Sequence, residues 1–220
     1  MFAPGFDGWP TEASSVAVVG GGISAGQIAL RLIEEGHEVH LLARHPLRKS
    51  QFDSDPGWLG PKFMSKFARE SCLDARRAMV AGARRSGSVP PDLLRALERA
   101  IERGDLGWHQ SEVERLDGCP DQLSLTLNGG ELLHVERVLL ATGLVSRRPG
   151  GPLVDDLVEA AALPCASCGY PIVGTDLRWH SRIVVSGALA ELELGPAARN
   201  IAGARRAGDR IVDSLRHIRR

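Results

Sequence analysis

Three consecutive glycines are the first residues in this chain whose type and spacing could do chemistry. In Gly20-Gly21-Gly22-Ile23-Ser24-Ala25, glycines stand at the first and third positions and a small residue at the sixth. With this spacing, the backbone between a strand and a helix can approach a pyrophosphate. The first glycine permits the turn, the second removes a side chain that would hold the phosphate away, and Ala25 lets helix and strand pack closely. N–H groups at the helix start then face the anion, and the Ser24 hydroxyl supplies another donor. The second candidate is a charge. About twenty residues further on, a site that reads a ribose 2′-hydroxyl carries Asp or Glu; here the sequence reads Leu42-Ala43-Arg44. A guanidinium suits a 2′-phosphate because its planar fork makes bidentate, charge-assisted bonds, and His45 and Arg48 add positive charge to the same loop. Together these residues select NADP(H), whereas Lys49 alone reads as a solvated surface cation.

A third candidate is Cys165-Ala166-Ser167-Cys168. Its spacing fits two reduced thiols in a packed link, a redox pair, or half of a zinc site, in that order of preference. A closed zinc site needs two more ligands, and His180 is the only histidine nearby. The acidic and aromatic loop containing Asp53, Asp55 and Trp58 is either a closing loop over a ligand or an ordinary Asp-Pro-Gly turn. No residue is assigned a catalytic role and no metal site is expected.

These candidates need elements to hold them. Val16-Ala17-Val18-Val19 is a short β-branched run ending on glycine, which predicts a buried parallel strand. Ile28, Ala29, Leu32 and Ile33 recur at helical spacing up to Gly36, and a second strand is predicted from His37 to Arg44. Residues 45 to 62 are rich in Pro, Gly, Asp and basic groups and predict a long loop. Helices are expected at about Lys62 to Glu70, Leu73 to Arg85 and Pro91 to Arg103. Short strands follow from Trp108 to Leu127 and from Leu132 to Val135, with a hairpin turn at Asn128-Gly129-Gly130, so the region reads as a β-meander. Val138 to Gly143 and Ile183 to Gly187 each read as a buried strand ending on glycine. A last helix is predicted from Pro196 to His217, with proline in its first turn.

Composition narrows the function. Basic and acidic residues number 27 each, so no net field attracts nucleic acid. No apolar run spans a bilayer, no signal peptide is evident, and the four cysteines are too scattered for a disulfide framework. The expected location is cytoplasmic.

The pattern Gly20-x-Gly22-x-Ser24-Ala25-x-Gln27, with Arg44 after the second strand and a strand ending Ala141-Thr142-Gly143, resembles the NADPH-binding half of two-dinucleotide-fold flavoproteins. It is most similar to the flavin-dependent monooxygenases that include N-hydroxylating lysine and ornithine enzymes. The stretch 45–62, with Glu191 to Ile201, resembles a bacterial branch of FAD/NAD(P)-binding proteins, some with a urate-hydroxylase-like label. The resemblance runs over nearly the whole chain from Phe6. It implies a Rossmann-like α/β fold: a parallel sheet with a helical crossover layer and a β-meander. Residues 1–14 would be linker-like, 15–146 the NAD(P)-binding domain, and 147–220 a Pro-rich link with a strand and helix returning to a flavin layer. Gln27, Ala141, Thr142 and Gly143 would then join the NADP(H) site, and Gly187 and Gly195 would contact flavin. In such enzymes NADPH reduces the flavin, which then activates dioxygen.

One departure matters. The separate FAD fingerprint that opens such proteins is not found in this sequence, so the chain resembles the C-terminal portion of a longer flavoprotein. The expectation is the NADPH-binding portion of an FAD-dependent, monooxygenase-like oxidoreductase acting on an unassigned small molecule. The alternative is a non-catalytic NADP(H)-binding remnant, or a subunit needing a separate FAD-binding chain. Either form could assemble as a homo-oligomer.

Overall fold

The computed structural model describes residues 12–52, 54–119, 122–143 and 147–218, with the side chains of 217 and 218 left aside. Most of the linker-like segment 1–14, together with Asp53, lies outside the described residues. In chain order the elements are β1 (Ser15–Val19), α1 (Ile23–Glu34), β2 (Glu38–Leu42), β3 (Arg48–Lys49), α2 (Pro61–Arg69), α3 (Leu73–Gly82), β4 (Ser88–Val89) and α4 (Pro91–Arg103). They continue with β5 (Leu106–His109), β6 (Val113–Cys119), β7 (Gln122–Leu127), β8 (Leu132–Val135), β9 (Arg137–Leu140), α5 (Gly151–Ala161), β10 (Arg178–His180), β11 (Ile183–Val184), α6 (Glu191–Leu194) and α7 (Ile201–Ile218). Among the described residues no helix is long and apolar enough to cross a membrane.

The chain divides into two compact units, Met1–Gln51 with Ser86–Leu144, and Phe52–Arg85 with Val145–Arg220. The first is an α/β layer structure around a parallel sheet of order β5-β2-β1-β9. Alternation along β1 and β2 explains their nearly continuous apolar sequence. Val16, Val18, Val39 and Leu41 pack with Ala25, Ala29 and Leu32 of α1 and with Leu97 and Ala100 of α4. Ala17 and Leu42, on the opposite face, pack with Leu125, Leu127 and Val135 of the antiparallel sheet β6-β7-β8. Both faces are covered, so residues 16–19 of β1 are apolar on both, and His40 of β2 is a polar side chain there, bonded to His109. Helix α4 begins with Pro91 and ends at Gly104 in the left-handed conformation, φ 78°, which matches its predicted bounds. The hairpin turn at Asn128-Gly129-Gly130 also forms, with the Gly130 N–H donating to the Leu127 carbonyl at 2.9 Å.

Several sequence expectations need correction. Leu106 to His109 belongs to the parallel sheet beside β2, in register Val39↔Leu106 to Leu42↔His109, and is not part of the meander. The region 45–62 contains β3, paired with β4, and a 3-10 turn, Pro56–Leu59, capped by Asp55. The run from Ile183 is no buried strand: β11 spans two residues, with Val184 exposed, and pairs antiparallel with β10.

The second unit is mainly helical. Val154, Leu177, Trp179, Leu194 and Ala207 form its principal apolar cluster, and Trp58, Phe67 and Val80 form another. The predicted last helix is divided. Pro196–Arg199 is a 3-10 turn, and α7 starts after Asn200, whose side-chain oxygen accepts from the Gly203 N–H at 2.9 Å. Asparagine is a strong helix N-cap and restarts the helix there. Between these clusters sits a buried carboxylate. Glu191 is 0% exposed and accepts from Arg77 at 2.6 Å and Arg199 at 2.8 Å, with Arg84 at 3.8 Å. Arg199 also donates to the Tyr170 hydroxyl at 2.9 Å, and the Arg77 guanidinium lies over the Tyr170 ring. Burial first, and then the Glu191 charge, push the Tyr170 phenol up from its ordinary value.

Candidate dinucleotide site

The site is built where β2, β1 and β9 end side by side. The Gly20 N–H donates to the Leu42 carbonyl, and the Ala141 N–H to the Val19 carbonyl, each at 2.8 Å. Those bonds bring Gly20, Ala43 and Ala141 together at the carboxyl edge of the parallel sheet, where open α/β sheets place their ligands. Gly20 has φ 152°, and a Cβ there would lie 2.3 Å from the Ala141 carbonyl oxygen and 3.2 Å from the Ala25 Cβ. Only glycine fits. A Cβ on Gly21 would meet the Ala43 Cβ and the His45 ring, both at 3.1 Å. Gly22 is the N-cap of α1 and offers no side-chain cap. The first helical bond runs from the Gly26 N–H to the Gly22 carbonyl at 3.1 Å, so the N–H groups of Ile23, Ser24 and Ala25 precede the helical ladder. Ile23, Ser24 and Gln27 are exposed, while Ala25 is buried against the sheet. A glycine cradle at the start of a twelve-residue helix with no side-chain cap fits a pyrophosphate.

The basic loop leaves the same edge. The Arg44 side chain is 75% exposed and reaches Glu112 only at 3.9 Å, a loose surface pair that holds the guanidinium weakly. The His45 Nδ1 lies 2.9 Å from the Pro46 carbonyl, which can only accept, so that nitrogen carries the proton. Arg48 is exposed and pairs with Ser88 across β3 and β4. Thr142 and Gly143 are exposed beyond β9, with Gly143 at φ 79°. Thus Gly20, Gly21, Gly22, Ile23, Ser24, Ala25, Gln27, Arg44, His45, Arg48, Ala141, Thr142 and Gly143 all lie in the first unit.

Gly187 and Gly195 lie in the second unit. Gly187, φ 59°, opens a 3-10 turn, and Gly195, φ 76°, is buried where a Cβ would stand 3.0 Å from the Met64 sulfur. Sequence reasoning missed the segment 86–89. Gly87, φ 70°, lies against His45 and Gly22, and Ser88-Val89 supplies the strand that anchors the basic loop. A Ser-Gly-Ser stretch read only as a break after a helix; its pairing with residues some forty positions earlier carried no local signal. His109, at the end of β5, also comes to this edge. Its Nε2 is 3.1 Å from the His40 Nδ1, and burial, followed by the His40 charge, lowers its pKa. The Asp55 loop resolves to structure: Asp55 accepts from the Gly57 N–H, and Trp58 packs on Phe63 and Phe67.

No protein-family model and no curated protein matches the chain. Solved structures do. An ornithine N-hydroxylase from Kutzneria sp. 744, determined with reduced FAD, NADP+ and L-ornithine, superimposes with a TM-score of 0.72 at 21% identity, over 97% of this chain and 56% of that one. The ornithine hydroxylase of Pseudomonas aeruginosa gives 0.68 at 20% identity, over 94% and 54%. The bacillithiol disulfide reductase of Bacillus cereus gives 0.55 at 18% identity, over 99% and 57%. The chain therefore has the Rossmann-type α/β fold of these flavoproteins, and it spans about half the length of the hydroxylases it matches.

Proposed function

We propose that this chain is the NADP(H)-binding portion of an FAD-dependent oxidoreductase of the monooxygenase type. The observation that carries the proposal is the convergence of the Gly20 to Gly22 cradle, the uncapped start of α1 and the exposed Arg44 on one edge of a parallel sheet. The backbone N–H groups of residues 23–25 hold the pyrophosphate. Arg44 exchanges its loose contact with Glu112 for the adenosine 2′-phosphate, with Arg48 adding charge beside it. His45, braced against Gly21 and Gly87, fixes the loop that carries both arginines. When bound, NADPH supplies a hydride, for which the acceptor under this proposal is flavin. Gly187 and Gly195 are proposed flavin contacts.

Titration calorimetry with NADPH and NADH tests the reading. A charge-assisted bidentate contact is worth about 1.5–3 kcal/mol, so NADPH should bind roughly tenfold to a hundredfold more tightly. Arg44→Ala should remove most of that preference, and equal affinities for the two nucleotides in the unsubstituted protein would refute it. In a second reading, flavin is held with a separate FAD-binding chain. A protein purified yellow supports the first arrangement. A colourless one that oxidises NADPH only with added FAD or a partner chain supports the second.

A further inference from the structure

Cys165 and Cys168 belong to the second unit and have no role in the nucleotide reading. They sit on a tight hairpin. Cys165 bridges Pro171 in antiparallel fashion, the Ala166 N–H donates to the Tyr170 carbonyl at 2.9 Å, and the Gly169 N–H donates to the Ala166 carbonyl at 2.8 Å. Gly169 has φ 79°, the left-handed residue that closes a three-residue hairpin loop, here Ser167-Cys168-Gly169. Cys165 stands at the base of this loop and Cys168 within it. The base is fixed, because Ala166 and Tyr170 pack with Leu192 in a buried cluster. Both cysteines are free thiols with partial exposure. Burial first pushes the Cys165 thiol up, Arg148 pulls it down, and charge on Cys168, three residues along the same turn, raises it. The Arg148 Nε would stand 3.9 Å from a Cβ on Gly169, and its buried Nη1 has no hydrogen-bond partner among the described residues. Arg148 also pairs through its Nη2 with Asp155, and its guanidinium charge favours an anionic sulfur on Cys165. Among the described residues no third His, Cys, Asp or Glu joins the pair in a group able to hold a metal. Ring closure between the two sulfurs needs no third ligand.

We propose that Cys165 and Cys168 form a reversible dithiol–disulfide couple that exchanges with small disulfides of the glutathione type. The half-buried Cys168 thiol, at the edge of the cluster of Ala166, Tyr170 and Leu192, loses its proton and attacks the glutathione disulfide, whose S–S bond breaks and releases one glutathione thiolate. The Cys165 thiolate then attacks the Cys168 sulfur of the mixed disulfide and expels the second. One protein S–S bond forms, two electrons pass to glutathione, and the two protons end on the released thiols.

The test uses the full chain with Cys72→Ser and Cys119→Ser, equilibrated with reduced and oxidised glutathione, then alkylated and weighed by mass spectrometry. Oxidising mixtures should remove both alkylatable thiols and lower the mass by two hydrogens with no glutathione attached. Reduced glutathione should restore them. Adding Cys165→Ala should trap a single glutathione on Cys168, because the resolving thiol is gone. Two attached glutathiones without ring closure, or two thiols still alkylatable in a chain that circular dichroism shows to be folded, would overturn the proposal.

Discussion

Replacing Glu191 by alanine should destabilise the second unit by about 3 kcal/mol. The carboxylate is fully buried and accepts from Arg77 at 2.6 Å and Arg199 at 2.8 Å, with Arg84 at 3.8 Å. Its loss leaves these guanidinium groups without their shared counter-charge, among them Arg199, which also donates to the Tyr170 hydroxyl. Breaking one partner from a buried pair costs about 3–5 kcal/mol. The Arg77, Arg84 and Arg199 side chains retain 17%, 23% and 28% exposure, so water recovers part of the loss and the lower figure applies. With a urea slope of about 2 kcal/mol per molar, the unfolding midpoint should fall by about 1.5 M at unchanged slope. Tryptophan fluorescence reports it, since Trp58 and Trp179 both belong to this unit. Glu191→Gln keeps the shape and one acceptor and should fall between the two. A loss below about 1 kcal/mol for the alanine variant would show that the arginines are solvated without the carboxylate and would refute the argument.

Other consequences are equally open to measurement. Gly20→Ala must move the Ala141 carbonyl, 2.3 Å from the new Cβ, and strain a backbone at φ 152°; it should cost about 1–3 kcal/mol and abolish NADPH binding, and an unchanged melting temperature would argue against the convergence of strand ends. Because burial and His40 lower the His109 pKa, the unfolded state takes up the proton first, so this contribution is present above pH 6.5 and lost as pH falls below it. His109→Gln should flatten the acid side of a stability–pH profile of the first unit. The raised Tyr170 pKa works in the opposite direction: stability is held below pH 10 and lost as pH rises through that value and beyond, and Tyr170→Phe should lessen the alkaline decline, leaving the part that comes from the raised Cys165 thiol.

The central strand, turn, helix and strand of the first unit were legible because buried β-branched runs, helical spacing and glycine stops all lie within thirty residues and agree with one another. Helix α4 was equally plain, with proline at its start and glycine at its end. Strand β5 was not, since Leu106-Gly107-Trp108-His109 has no alternation and its parallel partner, Val39 to Leu42, lies far back in the chain. The run from Ile183 misled because apolar β-branched residues suit any half-buried extended segment. At the site, Arg44 and the glycines were visible as residue types, whereas the bracing of His45 by Gly87 depends on the β3–β4 pairing. The Glu191 cluster was invisible. Glu191-Leu192-Glu193-Leu194 reads as an ordinary amphipathic, solvated stretch, and its partner Arg77 is 114 positions away.

That separation bears on the order of events during synthesis. Every strand of the parallel sheet is complete by Leu140, so the first unit can assemble while the chain is still being made. The second unit begins at Phe52, yet Arg77 and Arg84 emerge long before Glu191, and Arg76 long before Glu193, with which it pairs at 3.2 Å in the folded unit. For that interval the nascent segment carries concentrated positive charge and an unclosed loop of more than a hundred residues, whose closure is entropically expensive and slow. Folding of the two units should therefore be separable in time, with a fast phase from the sheet and a later, salt-sensitive phase when the glutamates meet the waiting arginines.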